Sequence, residues 1–241
     1  MQRRILMLAT LALAASTAAT AQPTKPIRLI VPYAAGGPLD ITSRVLAERL
    51  GISSATWPLF GLLWPSGGQL ATRLALRAVR LGERVLEMGC GLALPSPVAH
   101  RLGMDITASD SHPLTARFLR NNLRLNGLAP MKYRHGAWDA AESSAGFGAH
   151  STTLRGRYDL LVGSDLLYDR DASMALAGFI GRHAQADAEV WIVDPDRGNR
   201  PAFSRQMLAM GFGLTELRLD TAATAHRPLY KGRLLVYRRT A

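Results

Sequence analysis

The sequence has almost no cysteine: Cys90 is the only one among 241 residues. A disulfide within the chain is therefore excluded. None of the six histidines has metal-ligand spacing with this cysteine or with a pair of carboxylates, so no metal site is predicted. Cys90 lies between two glycines, where a small buried side chain is a more ordinary role than a catalytic thiol.

Runs of lysine and arginine interleaved with aromatic residues are also missing, although the formal net charge is +11. A basic surplus of this kind suits an acidic partner. A nucleic-acid track, however, concentrates its basic residues along one stretch, and no stretch of this sequence does so. Nucleic acid is therefore an unfavoured partner.

Long apolar runs are scarce, and residues 5–15 are too few to span a membrane as a stable helix. They follow Arg3 and Arg4 and precede the small residues Ala19-Thr20-Ala21, which is the pattern of a secretory signal peptide and its cleavage site. We therefore predict a signal-peptide-like segment over residues 1–21 and exclude it from the fold.

Residues 22–50 contain a strand pattern, the glycine pair Gly36-Gly37 and an amphipathic helix. This segment resembles the opening strand, loop and helix of periplasmic solute receptors of tripartite tricarboxylate transporters. A receptor cleft needs two lobes, and the later sequence supplies neither. We interpret the segment as a fusion scar or a misjoined reading frame with no binding function.

The stretch around which the rest is organised is residues 84–93, an apolar strand pattern that carries Glu87 and ends in Gly89-Cys90-Gly91. A strand that turns sharply through glycines into a helix lets a ligand approach the backbone. A second strand pattern ends in Asp110, 19 positions after Gly91, where nucleotide-binding α/β units place an acid for the ribose. Together these features predict a nucleoside cofactor.

A dinucleotide is the less favoured cofactor. Its fold prefers a third glycine that seats a pyrophosphate on a helix N-terminus, and residues 92–97 lack one. Glu87 would repel a pyrophosphate but accept a hydrogen bond from an ammonium group. S-adenosylmethionine has such a group and a ribose but no phosphate, so it is the predicted cofactor, with an NAD-dependent oxidoreductase as the rival enzyme.

Six segments of the sequence together resemble those of a known protein family. In chain order they are residues 57–60, 64–67, 86–91, 107–110, 138–139 and 164–168. On these segments, residues 56–238 resemble the class I, seven-β-strand methyltransferases, in the group that holds nicotinamide-N-methylase-like enzymes and protein-lysine methyltransferases. The resemblance implies an α/β, Rossmann-like sheet of seven strands with helices on both faces and an antiparallel last strand. It also implies that residues 51–241 are one methyltransferase domain.

The same resemblance implies a set of site residues. Those expected at the cofactor are Trp64, Glu87, Gly89, Cys90, Gly91, Asp110, Trp138, Asp139 and Ser164. Trp138-Asp139 corresponds to the adenine subsite, and Trp64 is either a wall of the cofactor pocket or an ordinary core anchor. Asp165 and Tyr168 are the expected catalytic residues, with a helix N-cap as the alternative role of Asp165.

The implied activity is N-methylation of a protein lysine or an N-terminal amine. A small heteroaromatic amine is an alternative acceptor, and a non-catalytic binding module is the alternative from another class. Leu166-Leu167 replaces the two prolines and the aromatic residue with which base methylases grip a flipped base, which argues against DNA and RNA bases. We expect a monomer in the cytoplasm, where the cofactor is made, in conflict with the signal-like residues 1–21.

Periodicity and turn residues predict the boundaries of the elements. We expect helices over residues 66–79, 95–102, 113–126, 171–185 and 201–210, with the second of them starting late or bending because of Pro97. Strands are expected over residues 84–89, 105–110, 132–138, 158–163, 189–193, 214–219 and 233–238, and a flexible loop over residues 140–156.

Overall fold

The computed structural model describes residues 61–139, 153–224 and 229–239. The signal-like segment 1–21, the receptor-like segment 22–50, residues 57–60 and most of the predicted loop 140–156 lie outside the described residues. Within them, no helix is both long and apolar enough to cross a membrane.

The described residues form five helices and seven strands. The helices are α1 (Pro65–Ala75), α2 (Pro95–Arg101), α3 (Thr115–Leu125), α4 (Arg170–His183) and α5 (Arg200–Ala209). The strands are β1 (Arg84–Met88), β2 (Asp105–Asp110), β3 (Lys132–His135), β4 (Tyr158–Ser164), β5 (Ala184–Asp194), β6 (Phe212–Arg218) and β7 (Arg233–Arg239).

All seven strands belong to one sheet, in the order β3-β2-β1-β4-β5-β7-β6. The first five strands are parallel, and β7 runs antiparallel to both of its neighbours, β5 and β6. This confirms the predicted fold class. The strand order reverses between β1 and β4, and ligands of open α/β sheets bind at that point, outside the carboxyl ends of the strands. We call the line of these ends, from β3 to β5, the carboxyl edge.

Both faces of the sheet are buried. Successive side chains of a strand point to opposite faces, so each strand contributes apolar residues to both cores. In β1, Leu86 packs into the core beneath α4 and α5 with Phe179 and Phe203. Its neighbour Val85 packs into the opposite core with Leu70 and other residues of α1 and α2. A core on each face holds the strands of the carboxyl edge rigidly, which is what a site built on strand ends requires.

The structure corrects several predicted boundaries. Helix α2 starts at Pro95, not late, because Pro97 falls in its first turn, where a missing N–H removes no helix hydrogen bond. Helix α1 ends at Ala75 rather than at residue 79. Strand β3 stops at His135, three residues before Trp138, because its pairing with β2 ends where β2 does, at Asp110.

Strand β5 is longer than the predicted 189–193 and begins at Ala184. Its first residue pairs with Tyr158, and the register then shifts before Leu160 pairs with Glu189. The polar start of β5 is therefore carried by an irregular pairing that hydrophobic periodicity does not show. The remaining elements begin and end within two residues of the prediction.

Candidate functional site

The turn after β1 is built on left-handed backbone. Gly89 and Gly91 have φ angles of 54° and 51°, and Ala93 has 57°. A Cβ on Gly89 would lie 2.8 Å from Cδ2 of Leu166 and 3.1 Å from Cζ2 of Trp138. Glycine is favoured at this position both by the backbone angle and by the two neighbouring side chains.

Glu87 is turned toward the start of α2 and is only 2% exposed. Ser96 Oγ donates a hydrogen bond to Oε2 of Glu87. Burial raises the pKa of Glu87 from its ordinary 4.5 to about 8, although hydrogen bonds from Ser96 oppose the change. At neutral pH the carboxyl group is therefore mostly protonated, and it joins the glycine turn to α2.

The protonation of Glu87 predicts a pH dependence of stability. The folded protein retains a proton that the unfolded chain releases above about pH 4.5, so the contribution of Glu87 is most favourable below that pH and is lost as the pH rises to about 8. One pKa unit is worth about 1.4 kcal/mol, so between about pH 5 and pH 8.5 the free energy of unfolding should fall by roughly 3–4 kcal/mol more than in Glu87→Gln. Urea unfolding of both proteins at the two pH values measures this difference.

Asp187 provides the control for the loss of one acid, because it is exposed on β5. In Asp187→Asn the free energy of unfolding should fall with pH as steeply as in the wild type. If it falls as steeply in Glu87→Gln as well, Glu87 is ionised in the folded protein and the assignment of its proton is wrong.

Asp110 ties together the two loops that follow β1 and β2. Its Oδ2 accepts the N–H of Gly91 at 2.8 Å, and its Oδ1 accepts the N–H of His112 at 2.7 Å. Burial raises the pKa of Asp110, while these backbone donors act in the opposite direction. The backbone N–H of Ser111 is a third donor to this carboxylate. Its two oxygens carry four lone pairs, so the group still has acceptor capacity for a further donor, such as a ribose hydroxyl group.

Trp138 lies beside the glycine turn. It is half-buried against the core beneath α4 and α5, and its carbonyl oxygen accepts a hydrogen bond from Nη2 of Arg182 at 2.8 Å. Asp139, the next residue, is exposed. The structure thus brings Trp138 to Gly89 and leaves the Asp139 side chain at the surface.

Helix α1 begins next to the end of β4. A Cβ on Gly67 would lie 3.7 Å from Oγ of Ser164, the last residue of β4. Trp64 is half-buried and immediately precedes this helix, and its carbonyl oxygen accepts the N–H of Gly67 at 2.9 Å. Trp64 and Ser164 are therefore attached to the same part of the carboxyl edge.

Asp165 follows β4 with a φ of 60°, an uncommon angle for a residue other than glycine. Its side chain is bound by Arg197, whose Nε lies 2.5 Å from Oδ1. The N-cap of α4 is Asp169, whose side chain accepts the N–H of Ala172, so the alternative role of Asp165 as a helix cap is wrong.

Arg197 and Asp194 lie near Asp165 and are candidate site residues that sequence analysis missed. Asp194 ends β5, is fully buried, and accepts the N–H of Arg197 at 2.8 Å. Burial raises the pKa of Asp194 to about 6, and the nearby charge of Asp165 adds to the change. The signal that marks them is an acid at the end of a buried strand, followed by Pro195 and further charged residues.

Tyr168 and Cys90 have different surroundings. Tyr168 is 41% exposed, and burial of its hydroxyl group, together with the charges of Asp110 and Asp169, raises its pKa. Cys90 is 7% exposed and packs with Ala108 and Leu119, and burial raises the pKa of its thiol well above 9. The Cys90 thiol is therefore neutral and inert at physiological pH.

Most of the expected site residues thus gather along the carboxyl edge. The described residues contain no group of histidines, cysteines and acids arranged to hold a metal ion. The strand order and the antiparallel β7 are those of the class I, Rossmann-like methyltransferase fold.

Comparison with known proteins agrees with this class. No protein-family model matches the chain. It is 29% identical over 161 residues to the electron transfer flavoprotein beta subunit lysine methyltransferase of Mus musculus, covering 65% of this chain and 57% of the relative. It is 26% identical over 182 residues to the protein N-lysine methyltransferase METTL21A of Danio rerio, covering 74% and 77%.

A solved structure that resembles the chain is the ribosomal protein L11 methylase of Lactobacillus delbrueckii subsp. bulgaricus, with a TM-score of 0.53 at 19% identity over 72% of this chain and 79% of that one. At this identity the likeness concerns the fold. The chain spans little more than half the length of the mouse relative. These proteins give no support to the receptor resemblance of residues 22–50.

Proposed function

We propose that the protein is an S-adenosylmethionine-dependent N-methyltransferase that acts on a protein lysine. The observation that carries the proposal is Asp165, a carboxylate held at the end of β4 in a methyltransferase sheet, on the same edge as Asp110. Two acids with separate supports on one edge suit two different ligand groups. In this proposal Asp110 serves the cofactor and Asp165 serves the methyl acceptor.

The chemistry of the residues around the glycine turn suits this cofactor. Asp110 accepts three backbone N–H groups and still has acceptor capacity for the ribose. Trp138 offers an aromatic face beside Gly89 for the adenine, and the left-handed turn allows close approach of the backbone. When bound, the cofactor would supply a methyl group on a sulfonium, and a neutral nucleophile would take this methyl group as the methyl–sulfur bond breaks and the sulfur leaves as a neutral thioether.

Asp165 would then act on the acceptor amine. A lysine amine has an unperturbed pKa of about 10.4 and must lose a proton before it attacks. A carboxylate that accepts one of its N–H bonds orients the nitrogen lone pair toward the methyl carbon, and orientation supplies most of the catalysis of such a displacement. Tyr168, partly exposed at the same edge, would form a wall of the acceptor pocket.

Lysine in a protein is preferred as the acceptor because both named relatives are lysine methyltransferases. A small heteroaromatic amine and a binding module without turnover are the alternatives. Incubation of a proteome extract with labelled cofactor and the enzyme separates all three. We expect label in the protein fraction, on lysine; label in small molecules indicates the second alternative, and cofactor binding without any label indicates the third.

Asp165→Asn is expected to lower turnover by about a hundredfold, with cofactor affinity within a few-fold of the wild type, because an amide cannot accept with the strength of a carboxylate. Label transfer to the protein fraction and calorimetric titration with S-adenosylmethionine measure the two quantities. Asp169→Asn is the matched control, since asparagine also caps a helix and its turnover should stay at the wild-type level. Loss of cofactor affinity in Asp165→Asn would assign this carboxylate to the cofactor instead.

For the cellular location we propose the cytoplasm, where S-adenosylmethionine is made. A form that exports through the signal-like residues 1–21 would be separated from its cofactor. Activity would therefore belong to a form of the protein that stays inside the cell.

A further inference from the structure

Arg197 binds the carboxylate of Asp165 through two nitrogens. Both Nε and Nη2 lie 2.5 Å from the same oxygen, Oδ1. The Asp165 side chain is 6% exposed and that of Arg197 is 33% exposed, so the pair is shielded on the acid side and open on the arginine side. A charge-assisted contact of this kind fixes the carboxylate and offsets its charge.

The loop that carries Arg197 is itself held in place. Asp196, with a φ of 61°, accepts hydrogen bonds from Arg218 of β6 and Arg233 of β7, each at 2.7 Å. The backbone N–H of Arg197 is bound to Asp194. The guanidinium group is therefore positioned before any acceptor arrives.

Ionisable groups near Asp165 include Asp194 at the end of β5, Tyr230 before β7 and Tyr168 after β4. Arg200 of α5 places a further positive charge near Asp194. Burial raises the pKa of Tyr230 to about 12, with the acids Asp165 and Asp194 adding to the change, so this tyrosine is neutral at physiological pH. Burial raises the pKa of Tyr168, and the charge of Arg197 opposes this rise. Arg197 contacts Asp165 directly, whereas the charge of Arg200 acts on Asp194.

A carboxylate next to the acceptor, without a positive charge to offset it, would hold the acceptor in its unreactive ammonium form. An opposite charge within about 4–6 Å favours the charged form of an amine, and an ammonium has no lone pair with which to attack. A carboxylate whose charge is already offset still accepts an N–H bond, but it holds the extra proton of the acceptor less strongly. The acceptor is then more often in the reactive form.

We propose that Arg197 is a positioning residue that makes the acceptor pocket select a neutral amine over an ammonium, by binding Asp165 and offsetting its charge. The proposal rests on the function proposed above. It separates the two tasks of the site: Asp165 orients the amine, and Arg197 sets the protonation state in which the amine is held.

The test is the pH dependence of turnover at saturating proteome extract, measured as label transferred to the protein fraction. In Arg197→Gln the rising limb of the profile should move to higher pH, with about a tenfold loss near pH 7.5 that is largely recovered near pH 9.5. Arg197→Lys keeps the cation and should retain a profile close to the wild type. Arg238→Gln is the matched control, because Arg238 is an exposed arginine of β7 that pairs with Glu189.

Asp165→Asn provides a second test, in which the pH profile should move in the opposite direction. This variant leaves the charge of Arg197 without a partner, so the rising limb of its turnover profile should lie at lower pH than in the wild type, although its turnover is lower throughout. An equal loss at every pH in Arg197→Gln, with no movement of either profile, would overturn the proposal and leave Arg197 a structural support. If Arg197→Gln does not fold, the Asp165→Asn profile alone decides. Wild-type enzyme that labels no fraction overturns the proposed function, and this inference with it.

Discussion

Replacing Asp110 with alanine is expected to weaken the binding of S-adenosylmethionine about ten- to a hundredfold. A hydrogen bond to a charged acceptor contributes about 1.5–3 kcal/mol, and this acid is the proposed acceptor of the ribose hydroxyl groups. The structure adds a second cause. The alanine variant also releases the N–H groups of Gly91 and His112, which Asp110 holds at 2.8 and 2.7 Å.

Calorimetric titration with S-adenosylmethionine measures the affinity, and the melting temperature without cofactor measures the loss of the two backbone contacts. Asp105→Asn is the matched control, because Asp105 is an exposed acid at the other end of β2 that pairs with Lys132 at 2.5 Å. It should bind cofactor as the wild type does. An unchanged dissociation constant in Asp110→Ala would remove this acid from the cofactor site.

The centre of the sheet could be predicted from the sequence because β1 and β4 are short, largely apolar runs that end in distinctive residues. Glu87 and Asp110 mark the ends of β1 and β2, and Ser164-Asp165 marks the end of β4. Burial on both faces makes such runs nearly continuous in apolar residues, so their limits are visible without knowledge of the partner strands. The fold class was implied by the family resemblance that the segments carry in this order.

The partners of the acids could not be predicted in the same way. Arg197 lies 32 positions after Asp165, and the contact exists only because the loop after β5 turns back over the end of β4. Glu87 has a protein partner, Ser96 of α2, that the strand pattern did not indicate. The local sequence pattern indicates at which strand end an acid lies, but not which side chain from another part of the chain it contacts.

Gly89→Ala is expected to destabilise the protein by roughly 2–5 kcal/mol, through backbone strain of about 1–2 kcal/mol and overpacking of about 1–3 kcal/mol. A Cβ at this position would lie 2.8 Å from Leu166 and 3.1 Å from Trp138. Both neighbours must move, and Leu166 adjoins Asp165. We therefore expect cofactor affinity and turnover to fall together, measured by urea unfolding, calorimetric titration and label transfer.

Gly82→Ala separates strain from overpacking. Gly82 also has a left-handed backbone, with a φ of 80°, but no atom lies within 4 Å of a Cβ placed there. Its substitution should cost only the backbone strain, about 1–2 kcal/mol, and should leave cofactor affinity unchanged. The fold tolerates such strain, since Ala93 adopts a φ of 57° in the same turn as Gly89. Equal costs for the two substitutions would show that Leu166 and Trp138 yield easily, and that glycine is needed at position 89 for its backbone alone.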